Sequence, residues 1–559
     1  MTPGDGSGSL PQDLAVLPEL DEELLLDTLL SRFREQKIYT YIGDILIAMN
    51  PFCTLPLYEK SVSEMYKNHD KSCLPPHIFA VAARAYEAMR GRWATGLQNQ
   101  CIVISGESGT GKTESTKLLL RQIMELCHGN SQLEQQILQV NPLLEAFGNA
   151  QTVINDNSSR FGKYIQLRFS NSTVKGAKIN EYLLEKSRVS HQDPGERNFH
   201  IFYYMFAGMS AADKEMFGVL EPALYRYINQ TYGDAEQAAH WREKYQGVCN
   251  AMDMVGFQEQ EQVDMQTILA GILSLGNIVF EPQESGGVTV PLCSQGWMKA
   301  VAGQFGVQEE ELVKCLVCTM SVTRGESIHR LHTRQQAEDA RDSIARMVYG
   351  RVFGWIVRKI NELLAPSLPP DVEFTEIGIL DIFGFEKFAV NRYEQFCINL
   401  ANEQLQYFFN HHIFLMEQQA YEQEAISWDT IAFNNNKSIL DLFLAKPMGI
   451  LSLLDEQSAF PQATDTSFVE KLNSNFKSHK NYEICRSRAP AFTIVHYAGK
   501  VQYTASGFLE KNRDTPPCQY PYSLHKQCHS PPECPFYSYN FQNWNLDASS
   551  KGQNNNPGG

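Results

Sequence analysis

The residues with the clearest chemical meaning form a glycine-rich octapeptide with the spacing G-x-x-x-x-G-K-S/T. Its members are Gly106, Glu107, Ser108, Gly109, Thr110, Gly111, Lys112 and Thr113. The three glycines allow successive backbone N–H groups to turn toward one anion, and a helix that starts at the lysine adds the positive end of its dipole. The lysine reaches the β- and γ-phosphates of a nucleotide, and the threonine hydroxyl is placed to ligate Mg²⁺. The octapeptide therefore predicts a binding site for Mg·ATP.

The elements around this octapeptide have the order that a phosphate-binding loop requires. Residues 101–105 form a short, continuously apolar run, which predicts a strand in the middle of a parallel sheet. Residues 114–126 follow as a predicted helix. The succession of strand, loop and helix favours a phosphate site over a chance occurrence of the pattern.

Hydrolysis also requires groups that organise the terminal phosphate and the attacking water, and two further segments can supply them. The segment Asn155–Lys163 (NDNSSRFGK) concentrates amides, hydroxyls and one arginine in a predicted loop before a strand. The segment Asp381–Glu386 (DIFGFE) has an aspartate at the carboxyl end of a second apolar strand, 376–382, and a glycine three positions later. Such an aspartate suits the outer shell of Mg²⁺, and the glycine N–H suits the γ-phosphate.

The rest of the chain has the patterns of both helices and strands. Residues 21–34 carry acidic residues early, basic residues late and a stripe of leucines, which indicates a helix. Residues 38–48 are β-branched and aromatic, which indicates a strand or hairpin. A helical stretch from about 393 to 427 exceeds the usual length of a globular helix and could transmit motion, although a plain long core helix is the simpler explanation.

Composition excludes several classes of function. The chain has 559 residues and a formal net charge of −16, so it lacks the basic field that general binding of nucleic acid or an anionic membrane needs. It begins without a signal segment, and it contains no apolar run of the length that spans a membrane. Its 13 cysteines are odd in number and scattered, which fits reduced thiols in the cytoplasm.

The three chemical segments resemble the P-loop (106–113), switch I (155–163) and switch II (381–386) of the myosin family, in that family's order. Further stretches resemble the same family at residues 75–82, 145–150, 182–189, 195–203 and 396–403. A kinesin-type motor uses a similar Asn/Ser/Ser/Arg switch, but it does not account for these other stretches. The resemblance extends over roughly residues 15 to 515. It implies an α/β P-loop NTPase fold with a central mixed, largely parallel sheet, many flanking helices and large helical insertions.

The resemblance also implies roles for individual residues. Lys112 and Asn155 would contact the phosphates. Thr113 and Ser159 would be the two hydroxyl ligands of Mg²⁺, with Asp381 in its outer shell. The cofactors implied are therefore ATP and Mg²⁺.

The same resemblance implies a set of catalytic residues and a purine side. Ser158 would lie beside the attacking water, and Gly384 would bind the γ-phosphate through its amide. Arg160 and Glu386 would form the salt bridge that closes the pocket behind the water, together with Lys112 on the phosphates. Asn50 and Tyr58 resemble the purine-side loop of the family; an ordinary loop residue is the alternative interpretation of Tyr58.

Actin is the partner that the resemblance implies, with a cytoplasmic location on the actin cytoskeleton. The long helix 393–427 is similar to the relay helix that carries switch II movement outward. The segment Met320–Arg341 is similar to an actin-facing loop, in which Glu326 occupies a position that is acidic or phosphorylatable in the family. A solvated surface glutamate is the other interpretation of Glu326.

The agreement with the family stops after Thr515, which sets the expected domain boundaries. Residues 1–20 are expected to be a flexible lead-in, 21–515 a partial motor domain of an unconventional myosin, and 516–559 a divergent, disordered tail. We expect this chain to lack the rest of the lower actin-binding lobe, the converter and an IQ motif for light chains. Two hypotheses therefore stand: an actin-activated Mg·ATPase motor, or a truncated isoform that binds nucleotide without producing force.

Overall fold

A computed structural model describes residues 10–19, 21–67, 73–91, 98–127, 131–228, 235–284, 286–323, 326–365, 374–428, 432–460 and 462–513 of this protein. Its strands are β1 Tyr39–Ile42, β2 Ile45–Ala48, β3 Gln100–Ile104, β4 Asn149–Thr152, β5 Asn155–Ser159, β6 Gly162–Ser170, β7 Thr173–Tyr182, β8 Glu281–Pro282, β9 Val288–Thr289, β10 Cys318–Thr323, β11 Glu326–Leu331, β12 Thr375–Asp381, β13 Tyr482–Ile484, β14 Ala491–His496 and β15 Gly499–Thr504.

Helices surround these strands. They are α1 Glu22–Arg34, α2 Lys60–Met65, α3 Ile78–Met89, α4 Lys112–Leu126, α5 Ser131–Gln139, α6 Asn141–Gly148, α7 His200–Gly208, α8 Ala211–Phe217, α9 Ala235–Val255, α10 Glu259–Gly276, α11 Leu292–Phe305, α12 Glu309–Val317, α13 Arg334–Leu364, α14 Tyr393–Asn410, α15 Met416–Gln423, α16 Lys437–Leu444, α17 Ile450–Ala459, α18 Asp465–Phe476 and α19 Phe508–Arg513. None of the helices in the described ranges is long and apolar enough to cross a membrane.

The sheet that carries the candidate site has the strand order β3-β12-β6-β7. Strand β12 runs parallel to β3 and antiparallel to β6, and β6 runs antiparallel to β7. The sheet is therefore mixed, as expected, but the expectation that it is largely parallel is wrong for the described strands. The reason is local: β6 and β7 are joined by Asn171 and Ser172, both with positive φ, and a two-residue turn of this kind connects only antiparallel strands.

Strand β3 occupies an edge of this sheet within the described part of the chain, whereas its apolar sequence predicts a central position. Val103 is 40% exposed, and Cys101 is exposed as well. A short apolar run indicates a strand but does not show how many neighbours the strand has. The prediction of a parallel neighbour is confirmed by the pairing with β12.

The parallel pair β3 and β12 sets the position of the candidate site. Ile104, the last residue of β3, lies opposite Asp381, the last residue of β12. The P-loop and the segment after β12 therefore leave the sheet at the same edge, where ligands bind in open α/β sheets. Strand β6 begins there as well, because Lys163 lies opposite Asp381.

The apolar side chains of the described residues form two cores. The larger one packs α3, α4, α6, α7, α10 and α13 against the sheet, and its fully buried members include Phe79, Phe147 and Phe353. The second core begins at Phe396 and unites α14 and α16 to α19 with β14 and β15. Burial of side chains of this size is the main favourable contribution to folding.

Two boundaries differ from the sequence-based expectation. Part of the lead-in that we expected to be flexible is packed: Leu14 is 1% exposed, and Gln12 O accepts a hydrogen bond from Tyr41 N at 2.9 Å. Residues 1–9 and 20 lie outside the described residues, as does the predicted tail 516–559.

The long helix includes a π turn at His411–Leu415 and ends at Gln423 rather than 427, because Ala425 adopts a φ of 53°.

Candidate active site

The P-loop makes its turn with two glycines in the left-handed region. Gly109 has a φ of 82° and Gly111 a φ of 95°, which residues with a β-carbon rarely adopt. Helix α4 begins directly after Gly111, at Lys112. The Lys112 ammonium donates to Gly106 O at 2.7 Å and to Glu107 O at 2.6 Å, so it lies across the mouth of the loop.

Burial lowers the pKa of Lys112, an effect that the negative charges of Asp381, Glu386 and Glu107 partly oppose. The ammonium thus sits where its charge is incompletely balanced by protein groups. A polyanion beside it would supply the missing negative charge. This is the electrostatic environment that a phosphate-binding lysine requires.

Switch I lies against the P-loop. Residues 155–159, which we predicted as a loop, form strand β5 and pair with β4, so that prediction is wrong. The sequence concealed this strand because Asn, Asp and Ser are rare in strands. Ser158 Oγ lies 3.2 Å from Ser108 Oγ, and the Asn155 amide donates to Ser108 Oγ at 3.4 Å.

The candidate magnesium subsite joins the P-loop to the end of β12. Thr113 Oγ1 donates to Asp381 Oδ2 at 3.0 Å, and Lys163 Nζ lies 3.4 Å from the same carboxylate oxygen. Hydroxyl and carboxylate oxygens are the ligands that Mg²⁺ prefers, so these groups fit the ion. The hydroxyl of Ser159, the other predicted ligand, donates to Asn149 Oδ1 at 3.0 Å instead of to a P-loop atom.

Gly384 approaches the P-loop so closely that only glycine fits. A β-carbon at this position would lie 1.9 Å from Gly106 O and 2.8 Å from Glu107 Cα. Both distances are far below van der Waals contact, and both neighbours are backbone atoms. Switch II is therefore packed directly on the P-loop.

Arg160 and Glu386 form a buried ion pair, as the resemblance implied. Arg160 Nη1 donates to Glu386 Oε1 at 3.0 Å, and the two side chains are 2% and 6% exposed. Arg160 Nη1 also donates to Ser158 Oγ at 3.2 Å. Burial by itself would lower the pKa of Arg160, but Glu185 and Glu386 outweigh burial and raise it, so the guanidinium stays charged.

Sequence reasoning missed the second carboxylate on this arginine. Arg160 Nε donates to Glu185 Oε2 at 2.7 Å, and Arg188 Nε donates to the same oxygen at 2.7 Å. Burial would raise the pKa of Glu185, but the two guanidiniums overcome burial and hold this pKa at about 2. The only signal in the sequence was that Glu185 and Arg188, within the stretch 182–189, are three positions apart.

Helix α14 holds the switch II glutamate in place. The Asn399 side chain accepts from Glu386 N at 2.9 Å and donates to Glu386 O at 2.8 Å. Gln395 Nε2 donates to Glu386 Oε2 at 3.2 Å. Glu386 is therefore bonded through its backbone and its side chain to the helix that resembles the relay helix.

The two predicted purine-side residues differ in their relation to the P-loop. The Asn50 amide donates to Gly109 O at 2.9 Å, so Asn50 is joined to the site. Tyr58 instead pairs its hydroxyl with that of Tyr39 at 2.8 Å, and its carbonyl accepts from Arg121. Its bonds do not involve residues 106–113.

The predicted actin-facing segment Met320–Arg341 contains most of the hairpin β10–β11 and the start of α13. Thr323 pairs with Glu326 at the turn of this hairpin. The side chain of Glu326 lies outside the described residues, so its proposed role stays a prediction.

Comparison with known proteins identifies the family. The chain matches the family model described as Myosin head (motor domain) over residues 11–549, so the match extends beyond Thr515, where we expected the resemblance to end. It is 44% identical over 530 residues to Myosin-IIIb of Mus musculus, covering 92% of this chain and 40% of that protein. It is 46% identical over 516 residues to Myosin-IIIa of Homo sapiens, covering 90% and 32%.

A third relative, Unconventional myosin-VIIb of Mus musculus, is 44% identical over 511 residues, which cover 90% of this chain and 24% of that protein. The chain thus spans less than half the length of these relatives. The P-loop and the two switch segments all lie inside the matched range. The resemblance predicted from the motifs is confirmed, and the chain belongs to the myosin head (motor domain) family.

Proposed function

We propose that this chain binds Mg·ATP and hydrolyses its terminal phosphoryl group, as the motor ATPase of an actin-based myosin. The proposal depends above all on one observation: the P-loop, switch I and switch II meet around Lys112. Arg160 and Ser158 from switch I, and Asp381 and Glu386 from switch II, all interact with each other or with the P-loop. Three separate segments that converge on one anion site support hydrolysis beyond simple binding.

Each segment has a distinct part in the proposed reaction. Lys112 and the backbone N–H groups of the P-loop bind the phosphates. Ser158 orients the attacking water, and the Gly384 N–H donates to the γ-phosphate. The Arg160–Glu386 pair closes the pocket behind the water, so that hydrolysis takes place without bulk solvent.

Thr113, Ser159 and Asp381 would hold the metal, the first two by their hydroxyl oxygens and the third through a bound water. Mg²⁺ held there would supply positive charge that offsets the negative charge developing on the phosphate oxygens. The protein groups contribute the placement of these oxygens. Asp381 is already oriented by Thr113 and Lys163.

The proposed partner is filamentous actin, which the relatives' membership of the myosins supports. Glu386 is bonded to Asn399 on α14 through both backbone atoms. Opening or closing of switch II would therefore move α14, and this movement would couple the state of the nucleotide to distant surfaces.

A binding and turnover experiment tests the proposed site. Lys112→Ala is expected to abolish detectable binding of a fluorescent ATP analogue and hydrolysis of ATP, because the phosphates lose their central cation. Lys175→Ala, which changes an exposed lysine on β7, is the matched control and should behave as the wild type. Equal hydrolysis by the wild type and Lys112→Ala would refute the site.

Actin coupling requires its own measurement. Steady-state phosphate release by the purified chain is followed at increasing concentrations of filamentous actin. An increase with actin supports the motor ATPase. Tight nucleotide binding with a basal rate that stays flat would instead support a nucleotide-binding product without force generation.

A further inference from the structure

Three charged side chains lie side by side across three neighbouring strands. Asp381 on β12 is directly opposite Lys163 on β6, and Lys163 is directly opposite Glu181 on β7. Residues directly opposite each other in antiparallel strands project from the same face of the sheet, with their β-carbons about 5 Å apart. The row therefore alternates negative, positive and negative, and it starts at the candidate magnesium subsite.

Lys163 is engaged on only one side of this row. Its Nζ lies 3.4 Å from Asp381 Oδ2, and both side chains are 5% exposed. The same oxygen accepts the hydroxyl of Thr113. The ammonium thus neutralises the carboxylate that the proposed function places in the outer shell of Mg²⁺.

Glu181, on the other side of Lys163, has one buried oxygen without a partner among the described residues. Its Oε2 is inaccessible to solvent and makes no hydrogen bond within the part of the chain that the structure describes. Helix α13 covers the side chain, since Glu181 Oε1 lies 3.4 Å from where a β-carbon on Gly354 would be. Burial raises the pKa of Glu181 to about 7. A buried carboxylate oxygen without a partner destabilises the folded protein. A hydrogen bond from the neighbouring Lys163 ammonium would remove this destabilisation.

We propose that Lys163 is a positioning residue that alternates between two carboxylates: it holds Asp381 when the metal is absent and moves to Glu181 when Mg²⁺ arrives. This inference rests on the proposed Mg·ATP site. Glu181 would then tune the affinity of the site for Mg²⁺ without touching metal or nucleotide.

Electrostatics gives the direction of this movement. A divalent cation beside Asp381 repels the Lys163 ammonium and competes with it for the same carboxylate. Lys163 has four rotatable side-chain bonds and lies between the two acids, so it can exchange one partner for the other without movement of the backbone. The pairing with Glu181 also satisfies the oxygen that has no partner in the structure.

The test measures how binding of a fluorescent ADP depends on free Mg²⁺, with the full chain first stripped of metal by EDTA. Lys163→Met removes the competitor of Mg²⁺ and should lower the half-saturating Mg²⁺ concentration by about three- to tenfold. Glu181→Gln removes the alternative partner, keeps the ammonium on Asp381, and should raise that concentration by a similar factor. Lys163→Arg keeps the charge and should stay within about twofold of the wild type.

The double variant and the stability in EDTA complete the test. Lys163→Met with Glu181→Gln should match Lys163→Met alone, because Glu181 acts only through Lys163. Glu181→Gln should also raise the thermal midpoint in EDTA, since it removes a buried unpaired carboxylate, and this readout stands even if Lys163→Met does not fold. Shifts of both single variants in the same direction, or no shift in Glu181→Gln, would overturn the inference. Failure of the wild type to bind the fluorescent ADP would instead refute the proposed site itself.

Discussion

Arg160 and Glu386 are separated by 226 positions in the sequence, yet Nη1 of the arginine donates to Oε1 of the glutamate at 3.0 Å. The sheet explains the meeting, because Lys163 at the start of β6 lies opposite Asp381 at the end of β12. The two switch segments therefore leave the same edge of the sheet. Forming a buried ion pair costs desolvation energy, and breaking one is costly as well. Such a pair therefore suits a contact between the two switch segments that forms when the site closes and breaks when it opens.

Glu386→Gln should separate binding from hydrolysis. The amide keeps the shape of the side chain but removes the charge that pairs with Arg160, so the closed pocket is weakened. We expect the single-turnover rate of ATP hydrolysis to fall by about 10²- to 10³-fold, while the affinity for Mg·ATP changes by less than about threefold. Quenched-flow hydrolysis and equilibrium binding measure the two quantities.

The matched control is Glu376→Gln, which changes a carboxylate on the same strand β12 at its other end. Glu376 pairs with Arg168 away from the site. It should leave the hydrolysis rate near that of the wild type. An equal loss of hydrolysis in both variants would mean that the sheet, and not the ion pair, had been damaged.

Glu185→Gln should destabilise the protein more than it should impair any single step. Two buried guanidiniums, those of Arg160 and Arg188, share this carboxylate. Its loss removes one of the two anions on each, leaving Arg160 with Glu386 and Arg188 with Glu196. The free energy of unfolding should fall by about 1–3 kcal/mol, the cost of buried donors that lose their acceptor. Denaturant unfolding measures this change. Glu114→Gln, at the exposed pair with Lys117, should cost less than about 1 kcal/mol. If the two variants were equally stable, Glu185 would have no such role.

Gly384→Ala tests the close packing of switch II on the P-loop. The added β-carbon meets Gly106 O at 1.9 Å, so switch II must move away and the Glu386 side chain with it. Hydrolysis should be lost while ADP still binds, as measured by phosphate production and fluorescent ADP binding. Gly303→Ala in α11, where a β-carbon meets nothing within 4 Å, should be neutral. Hydrolysis at the normal rate in Gly384→Ala would show that the two loops separate freely.

His77 should make stability depend on pH. Its Nδ1 accepts from Phe79 N and its Nε2 contacts Leu57 O, both at 3.0 Å, so the buried ring is neutral. Burial, opposed by the bond to Leu57, lowers its pKa to about 4, against about 6.5 in an unfolded chain. Below pH 6.5 the unfolded chain binds a proton that the folded protein does not. Stability should therefore fall by up to about 3 kcal/mol between pH 6.5 and 4.

Unfolding curves of the wild type and His77→Asn across this pH range check that contribution. Asparagine can still accept from Phe79 N at the start of α3 but does not titrate. The variant should lose this part of the pH dependence, whereas the exposed control His240→Asn should keep it. Identical pH profiles of His77→Asn and the wild type would contradict the assignment.

What the sequence could predict was mainly local. The strand, loop and helix around residues 106–113 are encoded by adjacent residues, and the structure has all three. The partners of Arg160 and Asp381 were not all foreseeable, because Glu185 and Lys163 reach them through the register of β6 with its neighbours. The edge position of β3 was missed for the same reason, since an apolar run does not show how many strands lie beside it. The strand β5 was missed because it consists of Asn, Asp and Ser, which are uncommon in β-strands.

The central claim is that the γ-phosphate is sensed by switch I and switch II together. Hydrogen–deuterium exchange of the backbone amides at 155–159 and 382–386 tests it most directly, with saturating Mg·ADP compared against a non-hydrolysable Mg·ATP analogue. The account predicts greater protection of both segments by the triphosphate, with the difference abolished in Glu386→Gln. Equal protection by the two nucleotides in the wild-type protein would contradict it.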